Sequence, residues 1–589
     1  MTTLQERYVD SSQLTQFPDD YPTALKRVYL ARGIHSPEEL ELRLKHLLSP
    51  DSLGSIQQAA SIIAQAILNQ SPITISGDYD CDGATGTATA VLGLSLLGAQ
   101  TVHYVVPNRF KHGYGLTPGL VEIIPPDTKL IITVDSGTSS VEGVTAAHSR
   151  GMQVVVTDHH LPAEILPNAE AIVNPNLNND PFPSKYLAGV GVMFYVLIAV
   201  RQRLIAAGHP TASQVDLRRL LPFVAIGTVA DLVPLDHNNR ILVQAGLEMI
   251  RHGQITEGLK ALIQLTRRPL RSINSQAVAF FIAPRINAVG RMEDMTAGIQ
   301  LLLTDSPYHA RLLADRIESI NNERKDLQAT MLDQAEDIVS RFNKIEQVGV
   351  VVFDPTWHAG IVGLVASRLK ESLYRPVIAF APAEQGSTEL RGSGRSIPGF
   401  HLRDALALIN TQHPGMIAKF GGHAMAAGLT IDLSQLEAFS RAFNALALRA
   451  ISQEQLDAIL PTDGPLAPSE LSLAFAERLA EEGPWGQGFP EPVFDNVFYI
   501  WEARVLKEAH VKLSLVDDRD GEFYDAIWFN GFQGQTPSGY VRIAYTLEVN
   551  RYKKNESVNL IVRYLEPAKR PADACPIQAP VAAVEVVAG

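Results

Sequence analysis

Cysteine is almost missing from this chain. Only Cys81 and Cys575 occur in 589 residues, far apart in sequence. That excludes a disulfide framework, and neither thiol has a second one at zinc-site spacing. The usage suits a reducing compartment, so a cytoplasmic location is expected. No uninterrupted apolar run reaches membrane-spanning length, and no basic-then-apolar leader follows Met1, so no membrane partner is expected. A surplus of positive charge is missing too. With 63 Asp and Glu against 50 Lys and Arg the net charge is −13, so any nucleic acid must meet a local basic surface. One such stretch exists: between His358 and Gly428, seven Lys and Arg stand against four acids. The chain has no HExxH, no evident Ser-His-Asp arrangement, no internal repeat and no coiled-coil heptad, and a monomer is expected.

What is present has the composition of a soluble globular protein, 46% hydrophobic and 19% charged. The length calls for about three or four domains. Residues 1–70 carry helical spacing in "SPEELELRLKHLL" and "QQAASIIAQAIL". Residues 71–304 open with short apolar runs, "ITIS" (73–76), "VHYVV" (102–106), "KLIITV" (129–134), "QVVVT" (153–157) and "AIVN" (171–174). Helical stretches separate the first two, so a parallel sheet covered on both faces is predicted. Residues 305–342 read as one long, mixed-charge helix bridging two domains. A second α/β segment spans 343–452. From 455 to 567 alternating strands with few helices predict a small all-β domain. The tail, 568–589, is rich in Pro, Ala and Val and is expected to be disordered.

In an open parallel sheet, ligands bind at the carboxyl ends of the strands. Here those ends read Asp78-Tyr79-Asp80-Cys81-Asp82, Pro107-Asn108-Arg109, Asp135-Ser136-Gly137, Asp158-His159-His160 and Asn174-Pro175. Read as extended chain, Asp78, Asp80 and Asp82 point one way, and Cys81 points oppositely into the core. Three like charges on one face repel, and a divalent cation removes that penalty. Asp135 and His159 arrive from neighbouring strand ends. An oxygen-rich set with an imidazole suits Mn²⁺ or Mg²⁺, and so many carboxylates suit two ions about 3.5–4 Å apart. Asp231, in the apolar "AIGTVADLVPL", is either a further ligand or a helix-end satisfier.

These residues resemble the DHH phosphoesterase superfamily, and within it the RecJ family of single-strand-specific 5′→3′ exonucleases. "GDYDCDGATG", "VDSG", "TDHH" and "GTVAD" look like its four catalytic motifs. "APRINAVGRM" (283–292), "WHAGIVGLVASRL" (357–369), "GSGRSIPGFHLRDAL" (392–406), "FGGHAMAAGL" (420–429) and "GPWGQGFPEPVF" (483–494) are similar to elements of RecJ. The likeness implies an α/β fold: a parallel-sheet DHH catalytic domain, a long helix, a smaller α/β DHHA1 domain and a C-terminal all-β OB-fold domain. It implies Asp80 and Asp135 at one metal ion, with Asp78 either a further ligand or a partner that supports the ligands, and Asp82, Asp135, His159 and Asp231 at the other, with Asp135 shared. His160 faces the scissile phosphate, and Asp158 orients an imidazole. Arg109, Arg285, Asn287, Arg291, His358, Ser393 and Arg395 are implied substrate contacts. Gly421, Gly422 and His423 are expected in a glycine-rich turn leading into a small-residue helix, with amides open to a phosphate. "GPWGQGFPEP" is expected at an interdomain joint.

In the β segment, two or three of Trp501, Phe523, Tyr524, Trp528, Phe529, Tyr545 and Tyr552 are expected to stack bases, with Arg551, Lys553 and Lys554 supplying charge. The implied partners are single-stranded DNA, a single-stranded-DNA-binding protein and a RecQ-type helicase; the implied setting is DNA repair and recombination. Two alternatives stay open: a DHH phosphodiesterase for short oligonucleotides or cyclic dinucleotides, and a non-catalytic DNA-binding scaffold of the same fold.

Overall fold

The first element is a strand, β1 (Thr2–Glu6), where the composition predicts only helix. The computed structural model describes residues 2–109, 111–342, 346–452, 454–532, 534–550 and 556–570. Arg551, Tyr552, Lys553, Lys554 and residues 571–589 lie outside the described residues. Helical spacing is realised at Ile56–Leu68. "SPEELELRLKHLL" instead forms two 3₁₀ turns, Pro37–Leu40 and Leu44–His46. Glu39 turns its carboxylate back onto the His35 and Ser36 amides, a cap that favours a short turn.

The first sheet is built from β2 (Ile73–Ser76), β3 (Val102–Val105), β4 (Leu130–Val134), β5 (Gln153–Thr157) and β6 (Ala171–Val173). All neighbours are parallel, in the order β3-β2-β4-β5-β6. Strands β2 and β4 are buried at every position, as their unbroken apolar runs require of strands covered on both faces. The order reverses at β2, so the crevice between β2 and β4 is the topological switch point where such sheets bind ligands. Behind it lies the helix Gly189–Ala206, packed against Cys81–Leu96 and Leu221–Ala230. By length and composition that helix is apolar enough to cross a membrane, contrary to the sequence expectation; 67% of it is buried inside the protein, as a core helix.

The helix Pro307–Ser340, 34 residues long, leads out of this half. It buries Ala310, Ala314, Ile317 and Ile320 near one end and Met331, Ala335 and Val339 near the other. The second half is a sheet of β7 (Val350–Phe353), β8 (Val377–Pro382), β9 (Glu389–Arg395), β10 (Lys419–Gly422) and β11 (Ala426–Asp432), in the order β10-β11-β9-β8-β7. Only β7 and β8 are parallel. "FGGHAMAAGL" is therefore a hairpin and not a turn into a helix. Gly422 takes φ +140°, which side-chain-bearing residues avoid, and reverses the chain so that β11 pairs back onto β10.

Strand β12 (Ala458–Thr462) pairs in parallel with β1. The chain then closes a five-stranded barrel from β13 (Phe494–Leu506), β14 (His510–Val516), β15 (Phe523–Trp528), β16 (Gly539–Asn550) and β17 (Ser557–Pro567). Its interior is continuous with the core of the first half: one cluster of buried residues runs from Phe17 and Ile286 through Trp485 and Phe489 to Tyr545 and Val562. The segment around Trp485 is the joint, with Trp485 stacked on Phe489 at 5.1 Å and Arg240 over Phe489 at 4.4 Å.

Candidate active site

The acidic stretch after β2 is not one extended segment. Asp80 is the N-cap of the helix Cys81–Leu96 and accepts from the Gly83 amide at 3.0 Å. Cys81 and Asp82 already lie in that helix's first turn, and Cys81 packs into the core. Asp82 reaches instead the start of the helix Gly189–Ala206, accepting from the Gly189 and Val190 amides at 2.6 and 3.0 Å. A carboxylate there meets unpaired donors and the positive end of the helix dipole.

Three groups of donor atoms converge: Asp78, Asp80 and Asp135; Asp82, His159 and Asp231; and Asp135, His159 and His160, each within 4.8 Å. Asp135 and His159 link the sets. Asp135 sits at φ +61°, a strained conformation for a non-glycine residue, directly after β4. His159 Nε2 stands 3.0 Å from Asp135 Oδ1 and 3.5 Å from Asp231 Oδ2. Asp78 Oδ1, Asp135 Oδ1 and His159 Nε2 are all buried without a hydrogen-bond partner. Buried acceptors left unserved beside one another are costly, and a shared divalent ion satisfies them together. The donor set fits Mn²⁺ or Mg²⁺: carboxylates with one imidazole and no thiolate.

Electrostatics agree with this fit. Burial, then repulsion among the carboxylates, raises Asp78, Asp135 and Asp231 well above the usual range. The same causes bring Asp82 up to about 7. Burial, then its cationic neighbour His160, lowers His159 to about 4, which keeps it a neutral ligand. His160 goes the other way. Burial disfavours its charge, but the hydrogen bond and charge of Asp158 outweigh that and lift it to about 9.

Asp158 is itself fully committed. Its Oδ1 accepts from the His159 and His160 amides and from His160 Nδ1 at 2.7, 3.1 and 2.8 Å, and its Oδ2 from the Thr138 amide at 2.9 Å. Burial works against that carboxylate's charge, yet the contacts with His160 hold it well below the usual range. Sequence reasoning missed three further supports. Tyr114 Oη donates to the Asp135 carbonyl at 3.0 Å and lies 3.1 Å from His160 Nδ1. Asn174 Nδ2 donates to the His160 carbonyl at 2.8 Å and Asn176 Nδ2 to the His159 carbonyl at 2.5 Å. Their signal was the polar "NPN" at the end of β6.

Beside the carboxylates stands a group of arginines. Arg291 is partly buried, and desolvation, then Arg109 and Arg395, lower it to about 9. Arg109 stacks over Tyr79 at 4.4 Å. Arg395 bonds Ser393 Oγ at 3.0 Å, and both stand where the helix Val362–Leu373 begins. His423, at the tip of the β10–β11 hairpin, is close enough for His160 to depress its pKa, after burial. Gly421 and Gly422 lie on edge strand β10, so the helix-terminal amide cradle expected of them does not exist. His358 Nδ1 accepts from the Gly360 amide at 3.1 Å, fastening its own loop.

Two expected contacts fall elsewhere. Arg285 forms a two-pronged pair with Glu318 at 2.7 and 3.0 Å and donates to the Phe281 carbonyl, so its fork is spent joining its helix to Pro307–Ser340. Asn287 accepts from the Cys81 amide at 2.9 Å and supports the acidic turn from behind. In the barrel, Tyr545, Tyr524 and much of Trp528 are core, whereas Trp501, Phe523 and Phe529 are 42, 46 and 55% exposed. Trp501 meets Phe523 edge-on at 5.8 Å.

Comparison with known proteins agrees with this architecture. Residues 72–228 match the DHH family, N-terminal domain; residues 345–448 the DHHA1 domain; and residues 462–564 the RecJ OB domain. The chain is 44% identical to the single-stranded-DNA-specific exonuclease RecJ of Dickeya dadantii, over 94% of this chain and 97% of that protein. It resembles the crystal structure of RecJ in complex with Mn²⁺ from Thermus thermophilus, with TM-score 0.80 and 28% identity over 97% of this chain and 80% of that one. The Mg²⁺ complex of RecJ from the same organism matches with TM-score 0.76 and 27% identity, over 97% and 79%. The switch-point carboxylates, the second half across the long helix, the closed barrel and these matches together place the chain in the RecJ family.

Proposed function

We propose that this protein is a metal-dependent exonuclease that degrades single-stranded DNA from its 5′ end to mononucleotides. The observation that carries the reading is the cluster of buried, unserved carboxylate and imidazole atoms at the β2–β4 switch point, beside Arg109 and Arg291 of the first half and Arg395 of the second. Asp78, Asp80 and Asp135 would hold one Mn²⁺ or Mg²⁺, and Asp82, Asp135, His159 and Asp231 a second. When bound, such ions acidify water and neutralise charge on a phosphodiester.

The chain's own groups do the rest. Asp158 orients His160 and keeps it cationic at neutral pH, so a positive donor faces the scissile phosphate. Arg291, Arg109, Arg395 and Ser393 grip the terminal phosphate, using the forked donors that suit it. The cleft spanned by Pro307–Ser340 admits one strand. Trp501, Phe523 and Phe529 offer faces on which successive bases stack. Work in DNA repair and recombination, in the cytoplasm, as a monomer beside a single-stranded-DNA-binding protein and a RecQ-type helicase, belongs to the same proposal through family likeness.

The test uses 3′-labelled single-stranded DNA and a blunt duplex, with Mn²⁺, Mg²⁺ or EDTA, beside Asp135→Ala. The expected result is a ladder of shortening 3′-labelled strands, absent on duplex, with EDTA and in the variant. Strand binding without digestion in any metal would overturn the reading in favour of a scaffold. Cleavage of dinucleotides alone would replace it with a small-substrate phosphodiesterase.

A further inference from the structure

One face of the helix Ala283–Met292 meets two other elements at close range. Asn287 Oδ1 accepts from the Cys81 amide at 2.9 Å. Three residues on, a Cβ at Gly290 would stand 1.8 Å from the Tyr79 carbonyl oxygen, so the helix backbone lies directly on the turn bearing Asp78, Asp80 and Asp82. Next along, the Arg291 carbonyl oxygen lies 2.2 Å from where a Cβ of Gly360 would be, and the Arg291 guanidinium donates to the Gly360 carbonyl at 3.4 Å. Spacings of three and four residues put these positions on one side of the helix.

The Cys81 amide is the kind of donor a helix leaves unserved. Cys81 is the first residue of its helix, and the Asp80 cap spends Oδ1 on the Gly83 amide instead. Cys81 is 1% exposed, so bulk water does not serve that residue. Of the two polar atoms of the Asn287 amide only the oxygen can accept from an N–H, which fixes which way that amide faces. Asp80 and Asp82 flank Cys81, so any shift of this amide turns both carboxylates at once.

We infer that Asn287 is a positioning residue for the metal centre and not a contact of the DNA. It fixes the Asp80–Asp82 turn to the helix whose next turn bears on Gly360 of the second half. The inference rests on the proposed metal-binding role of that turn.

The test compares Asn287→Leu, which keeps the size but removes the acceptor, with Asn287→Asp, which keeps an acceptor. Mn²⁺ affinity is read from the electron paramagnetic resonance of the free ion, without DNA, and a melting curve checks folding. KM for single-stranded DNA is then read at saturating Mn²⁺. Asn287→Leu is expected to weaken Mn²⁺ binding by roughly 10–100-fold, the usual effect of losing a group that orients metal ligands. Its KM should stay near wild type, and Asn287→Asp should restore most of the Mn²⁺ affinity. A raised KM with unchanged Mn²⁺ affinity would overturn the inference and return Asn287 to the substrate. Equal losses in the two variants would overturn it in favour of simple packing. Should Asn287→Leu not fold, Asn287→Ala carries the same comparison. Wild type failing to bind Mn²⁺ would instead sink the metal reading itself.

Discussion

His160 owes both its direction and its charge to one carboxylate. Asp158 accepts from its ring and from two successive amides, and nothing else among the described contacts offers its Nδ1 a negative partner as close. Asp158→Asn keeps the shape but ends the charge, so kcat is expected to fall by roughly 10–100-fold, with melting temperature and single-strand affinity changed far less. Steady-state kinetics beside a melting curve check this. Arg285 invites a different test. Because its fork is spent on Glu318, Arg285→Ala and Glu318→Ala should each destabilise the protein, and their double-mutant cycle should show a coupling of about 0.5–3 kcal/mol in denaturant unfolding. Additive effects would mean that the pair does not form.

The sequence separates these residue types unevenly. Clustered acids after an apolar run have few uses, so the convergence of Asp78, Asp80, Asp82 and Asp135 is legible in the sequence. An arginine has many uses, and whether it grips phosphate or a glutamate 33 positions away depends on packing that spacing does not encode. Asn287 is the same case: its partner is a backbone amide 206 residues distant.

At the scale of elements, the long helix sets the facing of the two halves. Its buried residues near one end pack on the first half and those near the other on the second, with the exposed stretch between Asn321 and Met331 crossing the cleft. Each residue turns a helix by about 100°, so inserting two alanines after Lys325 rotates the second half by roughly 200° without touching either core. Arg395, Ser393 and His423 would then face away from the carboxylates, whereas Arg109 and Arg291, which precede the helix, would stay in place. Single-strand digestion is expected to fall by at least about 100-fold, since even a 1 Å misplacement can cost that much. The far-ultraviolet circular dichroism should persist. Helical periodicity made this element readable in advance. The β10–β11 hairpin was not, because "GGHAMAAG" mixes glycine with helix-favouring alanine. What decides it is the long-range pairing of β11 with β9, which a local window does not contain.

Across the whole molecule, the cores divide unequally. The barrel shares its buried cluster with the N-terminal segment and much of the first half, and β1 clasps β12 just before the barrel. Arg7 and Arg32 both close on Asp463 at that clasp. The second half keeps two clusters of its own, built on the two faces of its sheet. Two cooperative units are therefore expected: the first half with the barrel, and the second half alone. The proposed metal ligands all belong to the first unit. A ligand that binds only the folded state adds RT ln(1 + [L]/Kd), about 2.7 kcal/mol at a hundredfold excess over Kd. Scanning calorimetry should thus show two transitions, of which Mn²⁺ raises one and EDTA lowers it again. In Asp135→Ala the Mn²⁺ shift should vanish from that transition. A single transition moving as a whole would mean that the long helix welds the halves together. The cleft would then be a fixed slot, admitting a strand without any movement of the second half.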